Sequence, residues 1–257
     1  MKKIIFIFAI LYVLFAAGVF GADSKEVKPD RIFHEANSLY EKGDYANAVE
    51  HYAKIVDAGL ESGALYYNIG NAFFKLGKPG YAILFYEKAL RLIPRDGDLK
   101  ANLAYARSLT ESQYSSEQYE NVFIRFAKRL FKNFNLTELS ITAAFFYLVL
   151  LIMLAPAAAG PLAVRKIYII ILISSAAFIS ALAGFSIRYY NEDVLRHAII
   201  LLKDVQCKFE PIDESTTYYN LKEGSPVLIL KTHNEWTQIR RMDGKIAWVK
   251  NDAVGEV

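Results

Sequence analysis

The sequence predicts a multi-domain membrane protein with an α-helical solenoid, two transmembrane helices and a small all-β barrel. Three observations support this fold class. Hydrophobic residues make up 54% of the chain, and they concentrate in three apolar runs at 4–20, 139–155 and 167–187. Residues 29–109 repeat with a period of 34 residues, whereas residues 194–257 show the period-two alternation of strands.

The charge and cysteine content exclude several kinds of partner and site. The net charge is +3, and residues 23–110 contain 12 acidic and 12 basic side chains, so we expect no nucleic-acid-binding face. Cys207 is the single cysteine, so an intramolecular disulfide and a cysteine-based metal site are both excluded. We expect Cys207 to be a small residue in a β core.

The N-terminus has the pattern of a secretory signal peptide. Two lysines precede an apolar run that ends at Ala17, and small residues follow before Asp23. Cleavage after Gly18 or Gly21 satisfies the preference for small residues at the cleavage site, so we predict a signal peptide over residues 1–21. The alternative is an uncleaved anchor helix, because the run approaches the length of a membrane span. Both interpretations export the residues that follow.

The two later apolar runs are predicted to cross the membrane as a hairpin. Residues 139–155 and 167–187 contain no charged side chain. At about 1.5 Å per residue, each run covers roughly 25 to 31 Å, close to the thickness of the hydrocarbon core. If the signal exports residues 22–138, the loop with Arg165 and Lys166 is cytoplasmic. The C-terminal domain then returns to the exported side.

A basic cluster just before the first span opposes this orientation under the positive-inside rule. We assign the cluster to an amphipathic juxtamembrane helix over residues 120–135, lying in the headgroup region of the membrane. Its apolar residues fall on one helical face, at positions 123, 126, 127, 130, 131 and 134. Its basic residues are Arg125, Lys128, Arg129 and Lys132. Alternatively, this segment is an extension that packs on the repeat domain.

The 34-residue period indicates a helix-turn-helix solenoid. The aligned positions are Ala36-Asn37 with Gly70-Asn71, Gly43 with Gly77, Ala48 with Ala82, and Tyr52 with Tyr86. The second copy, from Tyr66 to Pro94, resembles the tetratricopeptide repeat at nearly every signature position. This resemblance implies a solenoid over residues 29–110, with two tetratricopeptide repeats and a closing helix that contains Asn102.

The inner helices of such repeats line a concave groove, which is our candidate protein-binding site. Asparagine amides can hydrogen-bond the backbone of an extended peptide, and aromatic rings supply apolar contacts. The residues expected to face the groove are Phe33, Asn37, Tyr40, Tyr67, Asn71, Phe74, Lys75 and Tyr105. Alternatively, this surface packs on another part of the chain. Phe33 and Asp98 replace carboxylate-clamp residues of related repeats, so we predict no specificity for a C-terminal carboxylate.

The C-terminal residues 194–257 have strand patterning and turn signals at Gly224 and Gly244. The predicted strands are Ala198–Val205, Pro226–Lys231, Thr237–Arg241 and Lys245–Lys250. With Trp236 and Trp248 at their positions, this order resembles a bacterial SH3-like domain. We take both tryptophans as candidate ligand contacts, although one of them, preferably Trp248, can instead close the barrel core. Some relatives bind cell-wall peptides, so the resemblance implies peptidoglycan as a candidate ligand.

The chain lacks local signatures of catalysis and of metal or cofactor binding. The four histidines lie in different segments without metal-ligand spacing, at His34, His51, His197 and His233. There is no phosphate-binding loop, no G-x-S-x-G elbow and no H-E-x-x-H motif. We therefore expect a binding protein that uses no cofactor, and not an enzyme.

The order of a signal peptide, tetratricopeptide repeats, a two-span hairpin and an SH3-like domain is similar to that of the BatE proteins of the bacterial aerotolerance operon. The resemblance covers nearly the whole chain. It implies a bacterial inner-membrane protein with two spans and both soluble domains in the periplasm. It also implies partner membrane proteins with von Willebrand factor A domains, a MoxR-type ATPase and a link to oxidative-stress tolerance.

Two functional hypotheses follow from these modules. The first is an inner-membrane scaffold or adaptor, in which the repeat groove holds a peptide of a partner protein. The alternative is a cell-wall sensor that binds peptidoglycan through the SH3-like domain, which requires an exposed aromatic cleft around Trp236. A transport or channel role is disfavoured, because the spans lack the ionisable residues that such pathways use.

Overall fold

The computed structural model describes residues 29–110, 122–157 and 164–257. A helical region comes first along the chain, and a region of antiparallel sheet follows it. The predicted signal peptide, residues 1–21, lies outside the described residues. The helices within the described ranges are α1 (Pro29–Glu41), α2 (Tyr45–Asp57), α3 (Gly63–Lys75), α4 (Pro79–Leu92), α5 (Gly97–Leu109), α6 (Val122–Phe131), α7 (Leu136–Ala157) and α8 (Val164–Tyr189).

Helices α1 to α5 form two helix-turn-helix pairs and a closing helix. Gly43 and Gly77 lie in the turns of the two pairs, with φ angles of 81° and 71°. These angles are in the left-handed region, which glycine adopts at no steric cost. Asp44, Ser62 and Asp96 cap the helices that follow them, since each side chain accepts a hydrogen bond from a backbone N–H of the first turn.

Small side chains let the paired helices of the solenoid approach each other closely. Ala36, Ala48 and Ala82 are fully buried at the helix contacts. Gly70 shows how little space is left, because a Cβ added there would lie 2.5 Å from Cδ1 of Tyr86. The aromatic ring of the outer helix therefore packs directly on the backbone of the inner helix.

Helices α6, α7 and α8 connect the solenoid to the sheet. The segment Tyr168–Glu192, most of which lies in α8, is long and apolar enough to cross a membrane, and most of its surface is exposed. The apolar part of α7, Leu136–Ile152, is shorter. Helices α7 and α8 pack against each other. Within the described ranges, one helix thus meets the length and composition of a span.

Seven strands form one antiparallel sheet in the order β3-β2-β6-β5-β4-β1-β7. We call residues 197–256 the β domain. A single π-helical turn, Tyr190–Val194, links it to α8. The strands are β1 (His197–Ile200), β2 (Asp204–Lys208), β3 (Thr217–Lys222), β4 (Pro226–His233), β5 (Trp236–Arg241), β6 (Ile246–Lys250) and β7 (Val254–Glu256).

The strands differ from the sequence prediction in three places, one of which is the short C-terminal strand β7, absent from the prediction. The single strand expected over Ala198–Val205 is two strands, because the chain bends after Ile200 and the N–H of Leu201 donates to the carbonyl of Ala253. Strand β3 is missing from the prediction. It lies at an edge of the sheet and exposes most of its side chains, so its apolar alternation is weak.

The β domain packs against the solenoid. Strands β1 and β7 contact helix α4. Ile199 and Leu201 are buried in the same apolar cluster as Ile83 and Leu84 of α4. A Cβ added to Gly255 would lie 2.6 Å from Cδ2 of Leu84, so the two surfaces are in close contact. The solenoid and the β domain therefore share part of one hydrophobic core.

Candidate protein-binding site

The inner helices of the solenoid are joined by hydrogen bonds between asparagine and tyrosine side chains. The hydroxyl of Tyr52 on α2 donates to Oδ1 of Asn37 on α1 over 2.5 Å. Nδ2 of Asn68 on α3 donates to the same oxygen over 3.0 Å. One amide oxygen of the first repeat thus binds a side chain from its own outer helix and one from the next inner helix.

The same arrangement recurs one repeat later. The hydroxyl of Tyr86 donates to Oδ1 of Asn71 over 2.7 Å, and Nδ2 of Asn102 on the closing helix α5 donates to it over 3.1 Å. Nδ2 of Asn102 also lies 2.9 Å from the hydroxyl of Tyr67. We call Asn37, Asn71 and the four residues that donate to their amide oxygens the amide ladder; its six members are Asn37, Tyr52, Asn68, Asn71, Tyr86 and Asn102.

The amide ladder orients two side chains of the predicted groove. Because Oδ1 of Asn37 and Oδ1 of Asn71 accept hydrogen bonds inside the solenoid, each amide turns its nitrogen away from these partners. Neither nitrogen has a hydrogen-bond partner in the described part of the chain, and neither is enclosed. The two amides therefore present N–H donors at equivalent positions of successive repeats.

Burial keeps the hydroxyls of this face protonated. It raises the pKa of Tyr52 to about 12, and it also raises the pKa of Tyr86. The pKa of Tyr40 is raised by burial first and then by the nearby hydroxyls of Tyr45 and Tyr67. These phenols remain neutral hydrogen-bonding groups over the whole physiological pH range.

The open part of the groove lies at its C-terminal end. Tyr105 on α5 is 59% exposed, and its ring centroid lies 5.6 Å from that of Phe74 on α3. Lys75, the last residue of α3, is exposed and has no ion-pair partner among the described side chains. This end of the groove thus offers an exposed aromatic surface, and the exposed cation of Lys75 follows Phe74 in the sequence.

The remaining predicted groove residues lie deeper or at the N-terminal end. The ring of Phe33 packs on Tyr52 with centroids 5.8 Å apart, and Tyr40 contacts Tyr45 at 5.1 Å. Tyr67 packs on Tyr86 at 5.9 Å. The three partly buried rings of Phe33, Tyr40 and Tyr67 shape the wall of the groove.

Asn68 and Asn102 hold the amides of Asn37 and Asn71 but were not predicted as site residues from the sequence. They lie 34 residues apart, as do Asn37 and Asn71. This second pair of asparagines with the same 34-residue spacing was the signal in the sequence that could have identified them. Its role depends on which helix face each position occupies, which the period by itself does not specify.

The principal contacts of the β domain with the solenoid do not cover the inner helices. It packs on the outer helix α4, where a Cβ added to Gly224 would lie 2.8 Å from Cδ1 of Ile83. It also packs beside the end of α5, where the same Cβ would lie 2.9 Å from Oγ1 of Thr110. The alternative in which the groove serves as an internal packing surface is not favoured by these contacts.

The two tryptophans of the β domain are buried, which corrects their selection as ligand contacts. Trp236 is 7% exposed and Trp248 is 8% exposed. The ammonium groups of Lys250 and Lys231 lie 5.2 and 5.3 Å from the respective ring centroids and cover the indoles. Neither ring is open to a stacking ligand, so the aromatic cleft that the cell-wall sensor requires is absent around Trp236.

Other residues considered for chemistry are placed apart or buried. Within the described ranges, no cluster of three or more His, Cys, Asp or Glu side chains is arranged to hold a metal ion. Cys207 is buried, and this burial raises its thiol pKa to about 12. A thiol in this environment is an unreactive packing residue at neutral pH.

The family model of the tetratricopeptide repeat matches residues 64–96 of this chain. This match spans α3 and α4, which are the second repeat and carry Tyr67, Asn71, Phe74 and Lys75 of the groove. No curated protein matches the chain. The repeat supports a role in protein–protein interaction for this part of the molecule.

Proposed function

We propose that this protein is a membrane-anchored adaptor whose repeat groove binds an extended peptide segment of a partner protein. The observation that supports this proposal most directly is the orientation of Asn37 and Asn71. Their amide oxygens are held by the amide ladder, so their nitrogens are preorganised as donors for the carbonyl groups of a bound backbone.

The open end of the groove suggests the side chains of this peptide. The exposed ring of Tyr105 beside Phe74 offers apolar contact area, and the exposed Lys75, the residue after Phe74, offers a cation without an ion-pair partner among the described side chains. An apolar or aromatic side chain followed by a carboxylate fits these groups. The groove lacks a cluster of basic side chains, so we do not propose recognition of a free C-terminus.

The packing of the β domain on the solenoid supports two membrane spans. Contacts between α4 and strands β1 and β7 require both domains to lie on one side of the membrane. If α8 crosses the bilayer, the chain must cross once more between the solenoid and α8. Helix α7, with 22 residues and packed beside α8, is long enough for that second crossing.

The compartment and the complex are proposed from the sequence. A signal peptide over residues 1–21 would place the solenoid and the β domain in the periplasm of a bacterium, with the hairpin in the inner membrane. The resemblance to the BatE proteins suggests a complex with von Willebrand factor A-domain membrane proteins that is linked to oxidative-stress tolerance. The adaptor has a binding role and no catalytic one.

The first experiment is photocrosslinking of the full chain in intact cells. A photoreactive side chain at Tyr105 samples the open groove without removing a member of the amide ladder. The matched control places the same side chain at Glu50, which is exposed on the outer helix α2. We expect a partner protein to be captured from position 105 and not from position 50.

Two results would contradict the proposed function. Equal capture from both positions would show random collision with other proteins and no specific binding at the groove. Capture of only the β domain of the same chain from position 105 would show that the groove is an internal packing surface. Purification of the captured species and peptide mass spectrometry distinguish these outcomes from a partner segment.

A further inference from the structure

The short helix α6 carries an exposed apolar stripe just before the first apolar helix α7. Phe126 is 62% exposed, Leu130 is 55% exposed, and Phe134 follows one turn later at 43%. Phe126 and Leu130 are four residues apart on α6 and lie on one face of that helix, and Phe134 lies in the turn that follows the end of α6 at Phe131. Their exposure to water is unfavourable, because the protein leaves 43% to 62% of each side chain's surface uncovered.

A tight contact holds α6 across α8. The ring of Phe131 lies so close to Gly184 that a Cβ on that glycine would approach Cδ1 and Cε1 of the ring to 2.6 Å. Gly184 is five residues before the end of α8 at Tyr189, about 7.5 Å along the helix axis. If α8 spans the bilayer, this distance places the contact near the boundary between the hydrocarbon and the headgroups.

A second contact fixes the height of the solenoid above this boundary. Asn135 and Glu138 form a capping box at the start of α7, since the N–H of each residue donates to the side chain of the other. Nδ2 of Asn135 also donates to the carbonyl of Leu92 on α4 over 3.2 Å, and Arg95 forms an ion pair with Glu138. The solenoid is thus attached directly to the first turn of α7.

The charge of α6 complements an anionic membrane surface. Arg129 on α6 and Lys132 in the turn after it are exposed basic side chains close to the apolar stripe in the sequence. Exposed apolar side chains begin again on α7 at Ile141. Exposed apolar side chains that precede a proposed membrane span and lie near basic side chains have the chemistry of the lipid interface.

We propose that α6 lies in the membrane interface and binds anionic phospholipid headgroups, with Phe126, Leu130 and Phe134 inserted among the acyl chains. This proposal rests on the membrane anchoring proposed above. It deepens that function, because an interfacial α6 clamped on α8 would hold the groove at one height over the bilayer. A partner peptide would then have to come from a segment close to the membrane.

The test uses the full chain in nanodiscs and a fluorophore attached to a single introduced cysteine. The native Cys207 is buried and its raised pKa keeps it from reacting, so it can remain. An environment-sensitive NBD probe is placed at F126C on the stripe, at the exposed basic position K132C, and at L172C on the exposed surface of α8. We expect quenching by brominated acyl chains at F126C and L172C and little quenching at K132C.

The three positions separate this inference from the proposed function. Quenching at L172C without quenching at F126C would overturn the interfacial position of α6 and leave the membrane anchor intact. Absence of quenching at L172C would overturn the anchor itself. Equal quenching at F126C and K132C would also contradict the inference, because α6 would then have no side facing water.

The anionic preference is tested with the F126C probe and lipids that carry the bromine label. Each basic residue near a negative surface contributes about fivefold in affinity, so we expect phosphatidylglycerol to associate several-fold more strongly than phosphatidylcholine. The double variant Arg129→Gln, Lys132→Gln should lower that ratio several-fold, since each neutralised residue removes its own contribution. A ratio close to one in the unmodified chain would overturn the preference for anionic lipid.

Discussion

The backbone N–H of Gly80 donates to Oε1 of Glu223 over 2.8 Å, across 143 residues of sequence. Lys78, at the N-cap of α4, provides no side-chain cap for that helix. A carboxylate of the β domain therefore occupies the position of a helix cap, where the partial positive charge of the helix terminus favours it. This bond joins the solenoid to the β domain at a point next to their shared core.

Replacing Glu223 by alanine should weaken the docking of the two domains. The substitution leaves the first turn of α4 without its acceptor, at a cost of about 1 to 2 kcal/mol in the free energy of unfolding. Thermal unfolding of the full chain in mild detergent measures this change. Glu214→Ala is the matched control, since this carboxylate is exposed and has no partner among the described side chains. Equal effects of both variants would refute the capping role.

Adding one methyl group to Gly70 should destabilise the solenoid. The new Cβ would lie 2.5 Å from the ring of Tyr86, so helices α3 and α4 must separate, at about 1 to 3 kcal/mol. Gly97→Ala is the control, because no atom lies within 4 Å of a Cβ at that helical position. We expect Gly97→Ala to be neutral or slightly stabilising in the same unfolding measurement. Similar losses in both variants would contradict the packing argument.

Removing the hydroxyl of Tyr86 should loosen the amide ladder. Tyr86→Phe keeps the ring packing and deletes the donor to Asn71, which costs about 1 kcal/mol or more because the acceptor is partly buried. Tyr105→Phe changes an exposed tyrosine in the same way and should leave the stability unchanged. The midpoint of thermal unfolding compares the two variants. A second readout is loss of partner crosslinking from a groove position when Asn71 is no longer oriented.

Enlarging Gly184 should release α6 from α8. Gly184→Leu places a branched side chain where the ring of Phe131 now lies, and the two helices cannot keep their contact. Spin-label mobility on α6, measured by electron paramagnetic resonance in nanodiscs, should increase. Ala176→Leu, at an exposed position of α8, is the control and should leave the mobility of α6 unchanged. An immobile label in the Gly184 variant would show that the contact does not hold α6.

Acidification should weaken the β domain through Asp243. Hydrogen bonds from the Arg241 guanidinium are the main reason that the pKa of Asp243 falls from its ordinary value of 3.8 to about 2. The carboxylate therefore stabilises the folded state above pH 3.8, and this contribution disappears as the pH falls to about 2. Near-ultraviolet circular dichroism of the tryptophans follows unfolding over this interval. Asp243→Asn should lose stability at pH 6 and show a shallower acid dependence than the parent chain.

Local patterns were sufficient to predict the helices of the solenoid. The repeated glycines at 43 and 77 and the small residues at 36 and 70 each act through neighbours on the same helix or in the adjoining turn. The same period led to Phe74, Lys75 and Tyr105 as predicted groove residues, because each inner helix presents an equivalent face, and their binding role stays a prediction. Asn68 and Asn102 were missed because the prediction assigned one asparagine per repeat to the groove and did not consider which side chains orient the amides of Asn37 and Asn71.

The exposure of the tryptophans could not be obtained from strand alternation. Trp236 has polar neighbours on both sides, Glu235 and Thr237, which do not show whether its ring is buried, and the pairing of β5 with β4 and β6 buries it. Lys250 and Lys231 then cover the indoles, and both contacts join different strands. Edge strand β3 was missed for a related reason. Its pairing with β2 defines it as a strand more than the pattern of its own side chains does.

The sequence by itself determined the 34-residue repeat, the apolar runs, the strand-rich C-terminus and the lack of local catalytic motifs, since each is a property of residues close together along the chain. The tertiary structure decided which surfaces remain free. It placed Glu223 on Gly80, Phe131 on Gly184, and both tryptophans in the interior. These contacts join distant segments, and their free energy depends on shape and burial, which a one-dimensional pattern does not record.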